Sequence, residues 1–485
     1  MDGAMRRLFA LSSTLVLALG CGKDSTSNAK AECQLEAIDL SSCQRSTLGA
    51  LNPEGVWNLN IQLNDGTGAA SAMRLSGAAS GASMLGLTVT ERQVSGDTFY
   101  LASDIVGTDS IDLRYALAGC AATGPGKLTG VFRRCQDGRL DLQGTFEAVR
   151  VARREGEAES DKVALVGEVP LPRGQPTELA VANGHAYVTA GTEGLFIYDV
   201  RTPNAPRKVS ESKPSDDFYS DVLVNGTTMY LGTKKSGIAV FDLTDPESPV
   251  RVRSVPDKAV EVQSLAIDGN TLYAASPYPN AEVLIYDIST PNTPKLLTRY
   301  FVEGAEPGAG ERPLDVMVTG GKLYVSHWTY GMTVSDVTNP AKPKLLGRFG
   351  AASSRTTAVG TVGGKTLAFD AGEDWGAHLS VLNVTIPESP VQMGEFRMRP
   401  EVSIRSVTLS GTKLYVAYYQ DGLRVLDVSV PGEPRQVGYY NTWRESDAAR
   451  GVSFFDGLNT LRVPGDGYVY ATETSRGLLI FRETE

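Results

Sequence analysis

Histidine is scarce: His185, His327 and His378 are the only three in 485 residues, and they are far apart in the chain. A zinc site or a histidine-based catalytic triad needs such side chains to converge with partners, so neither is expected. No G-x-S-x-G elbow, phosphate-binding loop or H-E-x-x-H occurs, which removes the commonest hydrolase, nucleotide and metalloprotease signatures. Cysteine is absent after residue 135 and no C-x-x-C pair exists, which argues against a thiolate metal centre. Positive charge is outweighed, with 46 Lys and Arg against 56 Asp and Glu and a net charge of −10. A nucleic-acid binder would show a basic excess, so no nucleic-acid partner is expected. Long apolar runs are missing too. Leu8 to Leu19 is about a dozen residues, too short to span a bilayer. The chain is therefore expected to be no enzyme, with no catalytic residue, no metal and no cofactor.

Glycine and proline are abundant instead, at 51 and 25 residues, and point to many short elements joined by turns. The first twenty residues read as a targeting segment. Met5-Arg6-Arg7 is the positive region, the apolar run follows, and Leu17-Ala18-Leu19-Gly20 stands before Cys21. Small Gly20 directly before a cysteine resembles the lipobox of bacterial lipoproteins. The resemblance implies that Cys21 is lipidated and becomes the mature N-terminus, anchoring the protein to a bacterial membrane. Gly22 in place of an inner-membrane-retaining Asp implies the outer membrane. Leu19 is bulkier than that family usually has at its position. With Cys21 as lipid carrier, Cys33, Cys43, Cys120 and Cys135 remain, an even number suited to two disulfides in an exported domain. Three pairings are open. Cys33–Cys43 with Cys120–Cys135 is the expected one, because each closes a short local loop.

The organisation that follows is residues 1–20 signal, 21–31 polar tether, 32–150 small β-domain, 151–162 charged linker and 163–485 a repeat domain. In the small domain Val56 to Leu63, Thr98 to Leu101, Ile111 to Tyr115 and Leu140 to Phe146 alternate apolar and polar residues at period two. About eight such strands predict an antiparallel barrel or sandwich. Gly55-Val56-Trp57 resembles the start of calycin-like barrels, which often enclose a small apolar ligand; a core filled by side chains is the expected interior here.

The repeat is announced by GLFIYDVRTPNAP at residues 194–206. Its strand returns as IAVFD ending at Asp242, VLIYD at Asp287, MTVSD at Asp336, LSVLN at Asn383, LRVLD at Asp427 and LLIFR at Arg482. The intervals from Asp199 are 43, 45, 49, 47, 44 and 55 residues. The long last interval is assigned to an insertion at 454–468. Four strand-like pieces per unit at this period predict a β-propeller blade, and seven third strands predict seven blades. The last copy lacks a fourth strand, and Val163 to Val169 resembles the missing piece. Docked on Leu478–Phe481, it would close the ring. Each of the first six copies carries P-x-x-P, from Pro203/Pro206 to Pro431/Pro434. The first proline presets the turn and the second starts an edge strand. The Asp four residues ahead is expected to accept turn N–H groups, a structural role that Asn383 keeps.

The motif D-V-[ST]-x-P-x-x-P after an L-x-I-x-D strand resembles the LVIVD-repeat family of bacterial surface and exported proteins, over residues 163–485. The resemblance implies a propeller and a surface role with no assigned activity. Blade five, with Asn383 and Ile386, departs most from the pattern.

In a propeller the loops from second to third strand share one rim with the loops between blades, and sites usually sit on such loops. Here they carry Tyr278, Trp328, Tyr330, Trp375 and Tyr419, with Trp443 in the last inter-blade loop. These aromatics, near Glu373, Asp374, Gln420 and Asp421, are the candidate ligand-binding residues for a glycan or a protein partner. They serve equally as loop plugs packed on blade edges. Glu178, Asp221, Glu261, Asp315, Arg355, Arg405 and Arg450 precede inner strands and are expected to ring the channel mouth, as a polar site or as compensated charge. Arg405 joins the candidate binding set. The expected function is a monomeric, lipid-anchored envelope binding protein. A carbohydrate-active hydrolase or lyase using Glu373 and Asp374, and a purely structural envelope component, are the alternatives.

Overall fold

The computed structural model describes residues 28–76, 81–106, 111–351 and 353–485. Cys21, its signal segment and most of the tether lie outside the described residues. The chain divides into two units, one of residues 1–152 with 444–456, the other of residues 153–443 with 457–485.

The first unit is one nine-stranded antiparallel sheet. Gly55–Leu63 lies inside it between Gly68–Leu75 and Arg139–Arg150, the central strand. Its two edges are Leu87–Thr88 and Glu91–Ser95. Only Val89 and Thr90 separate these edges in the chain, a reach of about 10 Å, so the sheet must roll until its edges meet. The result is a barrel. Period-two alternation sends Trp57, Leu59, Ile61 and Leu63 inward to meet Met73, Phe99, Leu117, Phe132 and Phe146, all buried. Side chains thus fill the interior. Short 3-10 helices at Asn28–Cys33 and Leu35–Ala37 lie where Cys33 and Ile38 pack on Tyr100, Ala116 and Cys135, the other face of the sheet.

The disulfides correct the expected pairing: Cys33 bonds Cys135 and Cys43 bonds Cys120. The reason is register. Lys127–Gln136 pairs back on Asp112–Gly124 so that Cys135 stands opposite Arg114. Cys120 is six residues further along that strand, about 20 Å away, whereas bridged Cα atoms lie within about 7 Å. The N-terminal segment therefore supplies a partner to each of two separate heights on one hairpin.

The second unit is the seven-bladed propeller. Blades one to six are Glu178–Ser212, Tyr219–Val255, Ser264–Tyr300, Pro313–Phe349, Ser354–Phe396 and Ser406–Tyr440, each with four antiparallel strands in sequential order. In blade seven, Leu458–Arg462, Val469–Glu473 and Gly477–Glu483 are completed by Val163–Val169, whose Val169 pairs with Leu478 and Leu165 with Phe481. The ring closes as the orphan fourth strand requires. Third strands such as Leu195–Asp199 are buried throughout because each sheet is covered on two sides.

The turn logic holds in each of the six copies that carry the proline motif. Asp199, Asp242, Asp287, Asp336, Asn383 and Asp427 each accept the N–H two residues on, at 2.7–3.1 Å. The second proline directly precedes each fourth strand. Glycine before the third strand is required by geometry: Gly422 has φ +73°, and a Cβ there would sit 2.2 Å from the Tyr440 carbonyl oxygen.

Two expectations change. Residues 151–162 do not run free as a linker. Ser160–Asp161 adds a fifth strand to blade six, and Glu157 pairs at 2.8 Å with fully buried Arg424. The inserted residues of the last repeat are also not 454–468. Leu458–Arg462 within that stretch is the inner strand of blade seven. The extra chain is Arg444–Asp456, which belongs to the barrel unit, where Glu445 accepts from the Val56 N–H at 3.1 Å and pairs with Arg150.

Candidate binding face of the propeller

Sequential antiparallel strands put the second-to-third loops and the inter-blade loops on one rim. Tyr278 is 46% exposed there, with the Arg312 guanidinium 4.4 Å above its ring. Tyr330 lies under Arg348 at 3.6 Å and donates to the Glu303 carbonyl at 3.3 Å. Lys234 covers Phe218 on blade two in the same manner, at 4.5 Å. These cations were not foreseen, since each comes from a segment distant in sequence from its ring or from an adjacent strand end. They occupy one face of each ring and are themselves held on the rim by cation–aromatic attraction. Trp328, Trp375 and Trp443 are half-buried. Tyr419 departs from the surface reading: it is buried, and its hydroxyl donates to Glu373 Oε1 at 2.5 Å. Burial first and the Glu373 charge second push the phenol well above its ordinary range, so it stays a neutral donor.

The channel end of the same rim divides by charge. Blades one to four contribute Glu178, Asp221, Glu261 and Asp315, and blades five to seven contribute Arg355, Arg405 and Arg462. Arg462 ends the inner strand of blade seven rather than preceding it, and its side chain reaches Glu178 where Arg450 was expected. Arg450 is buried in the barrel unit, paired at 2.8 Å with Asp456. Glu178 meets Arg462 at 2.8 Å. Asp221 accepts from the Leu265 and Val222 N–H groups at 2.6 and 2.7 Å. Its burial, and next the Glu178 charge, hold its carboxyl well above the usual carboxylate range. Asp315 accepts from Ser264 Oγ at 2.5 Å, and burial pushes Glu261 up. Glu373 lies between two guanidiniums, 3.3 Å from Arg355 Nε and 3.8 Å from Arg405 Nε. Burial works against the Arg405 charge, but Tyr419, Glu373, Glu178 and Asp315 outweigh it and raise its pKa. Arg405 thus feels both walls of the channel.

Asp374, beside Glu373, accepts its neighbour Trp375 N–H at 2.7 Å and is pushed up by burial. The histidines do not converge. His327 is buried and lowered to about 4 by desolvation, His378 meets Arg397, and His185 faces Glu247 at the opposite rim. Among the described residues no group of three or more His, Cys, Asp or Glu side chains is placed to hold a metal ion.

The LVIVD repeat model matches residues 261–302, 313–350 and 403–442, which are blades three, four and six. The divergent fifth blade is not among them. No curated protein matches the chain. Among solved structures, a chain of a mitotic checkpoint complex is 11% identical, with 69% of this chain and 96% of that one covered and a TM-score of 0.50. The WD40 β-propeller domain of Doa1 is 11% identical over 67% of this chain and 97% of its own, with a TM-score of 0.49. BamB from Moraxella catarrhalis is 12% identical over 67% and 98%, with a TM-score of 0.45. At such identities the likeness concerns the fold alone. The chain is a seven-bladed β-propeller carrying LVIVD repeats, with a disulfide-bonded antiparallel barrel as its other unit.

Proposed function

We propose that this protein is a binding scaffold of a bacterial cell envelope, exported and lipid-anchored through Cys21, whose second-to-third-strand rim recognises a glycan or protein partner. A propeller of LVIVD repeats suits an interaction role. The observation that carries the choice of rim is the gathering of Tyr278, Trp328, Tyr330 and Trp375 on three successive blades, with Arg312 and Arg348 set over two of the rings. Flat, stiff side chains beside fixed charges offer contact area at low entropic cost. The two disulfides support an oxidising compartment, and the Leu17–Cys21 stretch supports the anchor. Binding to envelope glycans and peptides is the test. Trp328→Ala with Trp375→Ala should abolish it while the chain still folds cooperatively, and unchanged binding by that variant would sink the proposal. For the anchor, Cys21→Ser should release the protein from membranes and end labelling with radioactive palmitate.

A further inference from the structure

We infer that the Arg355–Arg405 pair is an oxyanion site for the carboxylate of an acidic sugar, a uronate within a polysaccharide, and that Glu373 fills it from within the chain. The inference rests on the rim reading above and names the ligand class of that rim. Its basis is a contrast between arginines. Arg424, Arg476 and Arg399 each grip a carboxylate with two nitrogens, at 2.8 and 3.0 Å, 2.9 and 2.7 Å, and 3.2 and 2.5 Å. Arg462 holds Glu178 at 2.8 Å. The closest approaches of Arg355 and Arg405 to Glu373 are from Nε, at 3.3 and 3.8 Å, beyond the 2.7–2.9 Å typical of a charge-assisted bond. The further bond from Arg355, to the Leu314 carbonyl, is 3.5 Å long.

Two guanidiniums, 9% and 14% exposed, are thus left poorly served at the channel mouth by a carboxylate whose best bond is to Tyr419. An incoming carboxylate could take both forks while Glu373 kept the tyrosine. A sugar fits the surroundings better than a peptide does. Trp375 lies on the same loop as Glu373, and Trp328 on the neighbouring blade offers a second ring for the C–H face of a pyranose. Glu178 on blade one, and Asp315 on the blade next to Arg355, can accept sugar hydroxyls. Their charge also confines an anion to the arginine wall.

The experiment is titration calorimetry of the full chain with oligogalacturonate, its neutral galactose counterpart and polyglutamate, each at low and high salt. Oligogalacturonate should bind about tenfold or more tightly than the neutral oligomer, and Arg405→Gln should lose about tenfold, one hydrogen-bonded charge contact. Glu373→Gln should bind more tightly than the natural chain, because the internal competitor is weakened, and it stays informative if Arg405→Gln does not fold. Equal affinity for charged and neutral oligomers, or no gain in Glu373→Gln, would overturn the inference. Tighter binding of polyglutamate would overturn the sugar assignment. Charge-independent binding that is lost in Trp328→Ala with Trp375→Ala would leave the rim reading standing and remove the anion site. Binding lost only in Arg405→Gln would do the reverse.

Discussion

The nested disulfides make a quantitative prediction. Cys43–Cys120 closes 77 residues and lies inside Cys33–Cys135, which closes 102. In the chain-entropy model the inner bridge alone removes about 4.5 kcal/mol of unfolded-state freedom and the outer alone about 4.7. They are not independent. Once the inner is closed, the outer closes only the segments Cys33–Cys43 and Cys120–Cys135, a loop of about 25 residues worth about 3.5 kcal/mol. Removing either bridge by paired Cys→Ala substitution should therefore cost the barrel about 3.5 kcal/mol, and removing both about 8 kcal/mol. Had the bridges been Cys33–Cys43 and Cys120–Cys135, the loops would be separate, and costs of about 2.7 and 3.0 kcal/mol would add. Hydrogen exchange of peptides from Gly55–Leu63, read by mass spectrometry, follows this unit alone. Additive losses in the single and double variants would refute the reasoning, as would a nonreducing peptide map showing the local pairs.

Two further predictions concern the propeller. Glu157→Ala leaves the buried Arg424 guanidinium with Asn441, a 3.5 Å bond to Gln436 and the Tyr439 ring, and no carboxylate, and should destabilise blade six by about 3–5 kcal/mol in urea unfolding. A loss below about 1 kcal/mol, the range of surface pairs, would show that residues 153–162 do not clasp the ring. Asp370 is buried, bonded by Ser354 and Thr357, and desolvation raises it to about 6 from an unfolded value near 3.8. The folded chain then holds a proton that the unfolded chain has released, so the contribution is complete below pH 4 and is lost as pH rises through 6. Stability of the natural chain relative to Asp370→Asn should fall by about 2–2.5 kcal/mol between pH 4 and 8. Other titrating groups, His327 among them, cancel in the difference, and a flat difference curve would contradict the assignment.

Much of the propeller was legible because its determinants are local and repeated. An Asp that caps its own turn, a proline that presets φ and a glycine forced left-handed all act within about ten residues, so their spacing could be counted. The missing fourth strand was legible for a related reason: a blade cannot leave its third strand half covered. What was hidden depends on register or on distant partners. The disulfide pairing follows from which residues of the hairpin stand opposite each other, not from loop length. Glu157 reads as one more solvated charge until Arg424, 267 residues away, is placed beside it. Leu458–Arg462 escaped notice because blade seven enters from the barrel segment without the usual turn residues. Tyr419 read as a surface aromatic because its partner Glu373 lies one blade back.

The most direct test of the binding face sets the two rims against each other. The opposite rim also exposes apolar residues, Ile386 at 66% and Val430 at 56%. A panel of envelope glycans and peptides should therefore be titrated against the full chain, Trp328→Ala with Trp375→Ala, and Ile386→Ser with Val430→Ser. A ligand held by the natural chain should be lost in the tryptophan variant and kept in the other. Loss in the Ile386 and Val430 variant, with the tryptophan variant binding as the natural chain does, would place recognition on the opposite rim and contradict the assignment.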